Sequence, residues 1–115
     1  MMHIVETLRE NAIADIDILR KKDTMGDVFA KPRDVDFAFK TKDRKQAEIL
    51  CSFIQEMNFG KSSIRSDDHG MHWVINVIHM PITQHVVCSV SGFMLCLGEL
   101  FHVEFDGWGS IIQKE

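Results

Sequence analysis

Six histidines are the side chains in this sequence that most directly suggest catalytic or metal chemistry. Two of them, His69 and His72, lie beside Asp67 and Asp68, and imidazole and carboxylate groups can bind a metal or exchange protons. A protein zinc site needs three or four ligands, and no third histidine or cysteine is nearby in the sequence. We therefore predict turn histidines, with no metal and no cofactor. A diverged enzyme that uses His69, His72 and Asp68 is the third alternative.

The cysteines give a second possible chemistry. Cys88 lies three residues after His85 in an apolar helical pattern, so the two side chains are neighbours on one helix face. A thiol nucleophile also needs a polar group that orients its histidine, and the pattern supplies none. Cys51, Cys88 and Cys96 have no CxxC spacing, and we expect buried free thiols in a cytoplasmic protein. No glycine-rich phosphate loop is present, and we predict that the protein is not an enzyme.

Acidic residues form the most regular polar pattern. Asp34 and Asp36 alternate with apolar residues, and so do Glu104 and Asp106, which is typical of half-buried strands. Such carboxylates form either a solvated sheet face or an acidic docking surface for a basic partner. We place Val74 and Ile78 on the same face as apolar contacts. The candidate protein-binding residues are Asp34, Asp36, Val74, Ile78, Glu104, Asp106 and Trp108.

Trp108 stands between Gly107 and Gly109, where a plain strand would have continued its alternation. Glycine allows backbone angles and close approaches that a side chain forbids. We interpret both glycines as a structural motif that places the indole. Two roles remain open for Trp108, packing in the core and contact with a partner.

Composition limits the classes of function. The chain has 115 residues, 45% of them hydrophobic, and a formal net charge of −4. These values predict one soluble domain over residues 1–115 and argue against a protein that holds nucleic-acid phosphates. The longest apolar tract, residues 86–100, is interrupted by serine and glutamate, and we predict no membrane span.

Periodicity predicts a leading helix over residues 1–22 and a βαββαβ core over residues 33–112. This order is typical of the ferredoxin-like α+β sandwich, with two helices on one face of a four-stranded antiparallel sheet. RNA binding by the open face is disfavoured, because carboxylates occupy it. The strand residues predicted to face the helices are Val35, Phe37, Phe39, Trp73, Ile75, Val77, Val103 and Phe105.

From about Asp15 to Gly109 the chain resembles the regulator of ribonuclease activity B family of ribonuclease E inhibitors. Trp73 and Gly60 carry part of the likeness, and so does the run Arg33-Asp34-Val35-Asp36-Phe37. Its most specific part is Val103-Glu104-Phe105-Asp106-Gly107-Trp108-Gly109.

The resemblance implies a cytoplasmic, non-enzymatic protein that binds ribonuclease E away from its catalytic half and changes RNA decay. Better-known members carry a long acidic tail after this motif, whereas residues 110–115 follow it here, which predicts weaker binding or a different partner. The alternative is a small-ligand-binding regulatory module, or one that dimerises through its sheets. The oligomeric state stays open, with a dimer possible.

Overall fold

The computed structural model describes residues 2–115 as three helices and four strands. Met1, which the prediction placed in the leading helix, lies outside these residues. The elements are α1 (Met2–Thr24), β1 (Arg33–Thr41), α2 (Arg44–Met57), β2 (Lys61–Ser66), β3 (His72–Met80), α3 (Gln84–Phe101) and β4 (Glu104–Gly109).

The four strands form one antiparallel sheet in the order β2-β3-β1-β4. This is the ferredoxin-like arrangement, and the fold prediction is confirmed. Helix α2 packs on β2 and β3, whereas α3 packs on β4 and β1, so one face of the sheet is covered and the other is open. Asp43 caps the N-terminus of α2, since its side chain accepts hydrogen bonds from the backbone of Lys45 and Gln46.

The core lies between the sheet and the helices. Val35, Phe37 and Phe39 of β1 are fully buried there, as predicted. On β3, however, Val74 and Asn76 are fully buried on the helix side. They pair with Phe39 and Phe37, and residues paired across an antiparallel ladder share a face. The prediction that Trp73, Ile75 and Val77 face the helices is therefore wrong.

Helix α1 packs against α3 of its own chain. Leu19 of α1 belongs to the same hydrophobic cluster as the sheet residues, and Leu8 approaches Gly92 of α3. Of the cysteines, Cys51 is buried as predicted, while Cys88 and Cys96 are only partly buried.

Helix α3 is long and apolar enough to cross a bilayer by length and composition alone, contrary to the expectation from its sequence. In the described fold it packs between α1 and the sheet, with Val87, Met94 and Leu97 buried. A core helix passes the same length test, so this property is weak evidence for a membrane span.

Candidate functional site

The outward side chains of the sheet, which we call the open face, form the candidate site. Pairing in the sheet gives this face an apolar middle on β3, an acidic side on β1 and β4, and a basic side on β2. The acidic residues are Asp34, Asp36, Glu104 and Asp106; the apolar ones are Ala38, Trp73, Ile75 and Val77; the basic ones on β2 are Lys61 and Arg65. One further basic residue, Lys40 of β1, is on the acidic side.

The structure brings the four predicted carboxylates to this one face. Lys40 lies among them, with its Nζ 3.1 Å from Glu104 Oε2 and 3.4 Å from Asp106 Oδ1. Hydrogen bonds to Glu104 and Asp106 raise the pKa of the Lys40 ammonium, so it stays charged at neutral pH. Lys40 contacts two of the four carboxylates, and Asp34 and Asp36 add two further negative charges, so this side of the face keeps a net negative charge.

Asp34 makes a separate contact at the far end of the face. Its Oδ1 lies 3.0 Å from Nδ1 of His79, and both side chains are largely exposed. An exposed pair of this kind contributes little to stability and leaves the carboxylate available to a partner.

Val74 and Ile78 do not belong to the open face. Val74 is fully buried on the helix side, and Ile78 pairs with the buried Val35. Their assignment to the exposed apolar part of the site is wrong. Trp73, Ile75 and Val77 occupy that position instead and are half-buried.

Both faces of β3 carry mainly apolar residues. Alternation alone therefore predicted the wrong face for Trp73, Ile75 and Val77. A usable signal lay in β2, where Ile64 is flanked by Ser63 and Arg65. The short hairpin pairs Ile64 with Val74 and Arg65 with Trp73. Placing Ile64 in the core therefore puts Trp73 on the open side.

Next to the acidic side, the face has a shallow depression of about 410 Å³. Charged side chains of Asp36, Arg65 and Asp106 line it together with four apolar residues, Ala38, Ile75, Val77 and the largely buried Trp108. On the same face, the Lys40 ammonium lies 5.9 Å from the centre of the Trp73 ring. A basic side chain with an apolar stem matches this combination of carboxylates and apolar wall.

A β-bulge in β4 explains the first glycine of the motif, Gly107, whereas Gly109 has no positive φ and a Cβ there would meet nothing within 4 Å. Phe105 pairs with Phe39, and Trp108 pairs with Phe37, so two residues of β4 oppose Ala38 alone. Gly107 has a φ of +95°, which an L side chain rarely adopts. In a regular strand of the same sequence, Trp108 would oppose Asp36 and would lie on the open face.

Trp108 instead packs inside the protein and is only 8% exposed. Its indole Nε1 donates a 2.9 Å hydrogen bond to Asp15 Oδ1 of α1, and the Lys22 ammonium lies 6.0 Å from the ring centre. These contacts assign Trp108 the packing role that the sequence left open. They also show why the leading helix is part of the fold.

The Asp15 carboxylate beside this indole is 2% exposed. Burial raises its pKa, with polar contacts to Ser91 and Trp108 opposing the rise. Its Oδ2 atom has no hydrogen-bond partner among the described residues. Burial likewise lowers the pKa of the Lys22 ammonium, with Asp27 opposing that shift. Lys22 Nζ donates to the backbone carbonyl of Ser110, which joins α1 to the C-terminal segment.

At the β2–β3 turn, the ring of His72 and the backbone N–H of His69 have structural partners. His72 Nδ1 lies 2.7 Å from Ser66 Oγ, and the Asp67 side chain accepts hydrogen bonds from the backbone of His69 and Met71. Within residues 2–115, no three His, Cys, Asp or Glu side chains gather as a metal site would need.

Comparison with known families gives one result that covers most of the chain. The family described as "Regulator of ribonuclease activity B" matches residues 12–110. This chain belongs to that family. A search of curated proteins found no match. The regulator of ribonuclease activity B match spans the part of α1 that carries Asp15, all four strands of the sheet and the bulge at Gly107.

Membership has two consequences for the site. The family consists of regulators of ribonuclease activity and is not itself a catalytic family, which supports a protein partner. The open face combines exposed charge with an apolar centre, and it is the candidate contact region.

Proposed function

We propose that this protein is a cytoplasmic, non-enzymatic regulator that binds a ribonuclease of the ribonuclease E type through the open face. Binding would take place away from the catalytic half of the ribonuclease and would slow the decay of some transcripts. Family membership supports the regulatory role, and the character of the open face supports the place of contact.

One observation carries the proposal: on the open face, exposed carboxylates of β1 and β4 lie directly beside apolar side chains of β3. Trp73, Ile75 and Val77 stand on a central strand, where a partner that covers them would exclude water from the middle of the interface. Tryptophan is among the residue types that most often act as interface anchors.

The charges of the face define the chemistry of the partner. Carboxylates along β1 and β4 attract basic side chains, and Lys61 and Arg65 on the opposite side disfavour a uniformly basic ligand across the whole face. We therefore expect a segment whose basic residues contact Asp36 and Asp106 and whose apolar residues contact Trp73. Complementary charge of this kind raises the association rate and depends on salt.

Reversing two carboxylates of the face is expected to weaken binding. The double variant Asp36→Lys/Asp106→Lys should lose on the order of 10- to 100-fold in affinity for the purified non-catalytic region of ribonuclease E, because attraction becomes repulsion. Both side chains are exposed, so the variant should fold normally. Calorimetric titration at two salt concentrations measures the loss and its electrostatic part.

Glu6→Lys/Glu10→Lys is the matched control, since it makes the same change in net charge on exposed positions of α1. This control should bind like the wild type at 150 mM salt, because a screening length of ~8 Å isolates the new charges from the open face. Equal loss in both double variants would contradict a specific site and indicate a response to net charge alone.

A further inference from the structure

The helix side of the molecule, opposite the open face, carries a large exposed apolar patch. Leu100 is 74% exposed, Met57 49%, Ile49 44%, Phe93 43% and Phe59 37%. Together with the partly buried Phe53 and Phe101, these residues form what we call the helix patch. At ~150–250 Å² per fully exposed aromatic side chain, the patch amounts to several hundred Å², the size of a functional apolar surface.

Four phenylalanines give the helix patch a fixed shape. Ring centres are 5.0 Å apart between Phe101 and Phe53, 6.0 Å between Phe53 and Phe59, and 5.2 Å between Phe59 and Phe93. Two of these pairs meet edge to face and the Phe53–Phe101 pair is tilted, and rings packed on one another lose little further freedom when a partner covers them. The patch is therefore preorganised for association.

Beside these rings runs a groove of about 480 Å³ between α2 and α3. Ile49, Phe53 and Phe101 line its apolar floor, and Lys45 and Glu56 stand towards its two ends. Glu48 also lines the groove, and its Oε2 lies 3.7 Å from Nε of Arg44 in the same helix. Whatever fills the groove must bring apolar side chains to the floor, a negative charge to one end and a positive charge to the other.

Helix α2 itself has this pattern of charge. Lys45 is near its N-terminus and Glu56 near its C-terminus, eleven positions apart, which is ~16 Å along a helix. When two copies of α2 cross antiparallel about a two-fold axis, each Lys45 faces the Glu56 of the other copy. Ile49 and Ser52 then lie at the centre. A two-fold interface requires such self-complementarity.

We propose that the helix patch binds a second copy of this chain and forms a two-fold dimer through α2, with the partner's α2 in the groove. The helix patch would supply most of the ~800 Å² of surface that each subunit of a stable dimer buries. Lys45 and Glu56 at the two ends of the groove would supply the rest. This dimer uses the helices and leaves both open faces free for other partners. It does not depend on the proposed ribonuclease contact.

Sedimentation equilibrium of the purified protein alone tests the dimer. The wild type should be dimeric at concentrations above roughly micromolar. Ile49→Asp should raise the dissociation constant at least 100-fold, because it buries an unpaired carboxylate at the centre of the interface. Circular dichroism of the same samples checks folding. A wild type that sediments as a monomer at 100 µM would overturn the proposal.

A charge exchange tests the arrangement of the two subunits. Lys45→Glu and Glu56→Lys should each weaken self-association by roughly tenfold, since each replaces two attractions by two repulsions. Both changes match the helix dipole and should not destabilise α2. An equimolar mixture of the two variants should dimerise as well as the wild type, because each mixed dimer again pairs a carboxylate with an ammonium at both ends of the α2 contact.

Glu6→Lys is the control for a single charge change away from the helix patch and should leave the dimer intact. Failure of the mixture to recover dimerisation would refute the antiparallel α2 contact. Loss of the dimer on Trp73→Ala, with Ile49→Asp still dimeric, would mean that the subunits associate through their sheets, and would also overturn the proposal.

Discussion

Asp27→Ala is expected to lower the free energy of unfolding by about 3–5 kcal/mol, because it leaves a buried guanidinium without its counter-ion. Arg33 Nη1 lies 2.6 Å from Asp27 Oδ1, and the two side chains are 1% and 0% exposed. Arg33 also donates to the backbone carbonyls of Val28, Lys31 and Ile111. The pair thus connects the loop before β1 with the segment after β4.

Urea unfolding followed by circular dichroism measures this loss. Asp23→Ala, at an exposed position four residues earlier, is the control and should change stability by less than about 0.5 kcal/mol. A loss below about 1 kcal/mol for Asp27→Ala would contradict a structural role for the ion pair. Asp27→Ala/Arg33→Met should lose less than the sum of the two single variants, as expected for a coupled pair.

Trp108→Ala should cost about 3–5 kcal/mol of stability, the usual range for removing a large aromatic side chain from a core. It opens a cavity between β4 and α1 and removes the donor to Asp15 Oδ1. The carboxylate, whose Oδ2 already has no partner among the described residues, would then be buried without this bond.

Trp108→Phe separates the two contributions, because it keeps most of the volume and loses only the indole N–H. We expect about 1–3 kcal/mol for this variant in the same unfolding measurement. Its affinity for the ribonuclease region should equal that of the wild type, since the ring is on the helix side of the sheet. A Trp108→Ala protein of full stability that no longer binds would return Trp108 to a recognition role.

Much of the fold could be predicted because its patterns are local. In β1, the alternation of Asp34 and Asp36 with Val35 and Phe37 needs no knowledge of neighbours. Carboxylates are rarely buried without a partner. The carboxylates of such a strand must therefore face solvent, and its alternating apolar residues must face the core. For this reason, the prediction that the four carboxylates share the open face is confirmed, while their role in binding stays a prediction.

Residues whose position depends on long-range pairing could not be predicted in this way. Trp73 and Val74 are both apolar, and the choice between their faces depends on the register of β3 against β1 and β2. Trp108 is inward only because a bulge at Gly107 adds one residue to β4. A bulge reverses the face of every residue after it, and alternation alone carries no sign of it.

The Arg33–Asp27 pair was missed for a related reason. Its partners come from a loop, a strand and the last residues of the chain, and Gln113 even donates its backbone N–H to Asp27 Oδ1 at 3.4 Å. In the sequence, Arg33 is a polar residue at the start of a predicted strand, and Asp27 is an acidic residue in a predicted loop. Only the folded arrangement makes them neighbours.

The two tryptophans of this chain allow a direct measurement of where the partner binds. Nitrogen-15 NMR spectra show one indole N–H signal for each, Trp73 on the open face and Trp108 in the core, and Trp73→Phe and Trp108→Phe assign them. Titration with the purified non-catalytic region of ribonuclease E should shift or broaden the Trp73 signal and leave the Trp108 signal in place. An unchanged Trp73 signal at saturating partner would contradict binding through the open face.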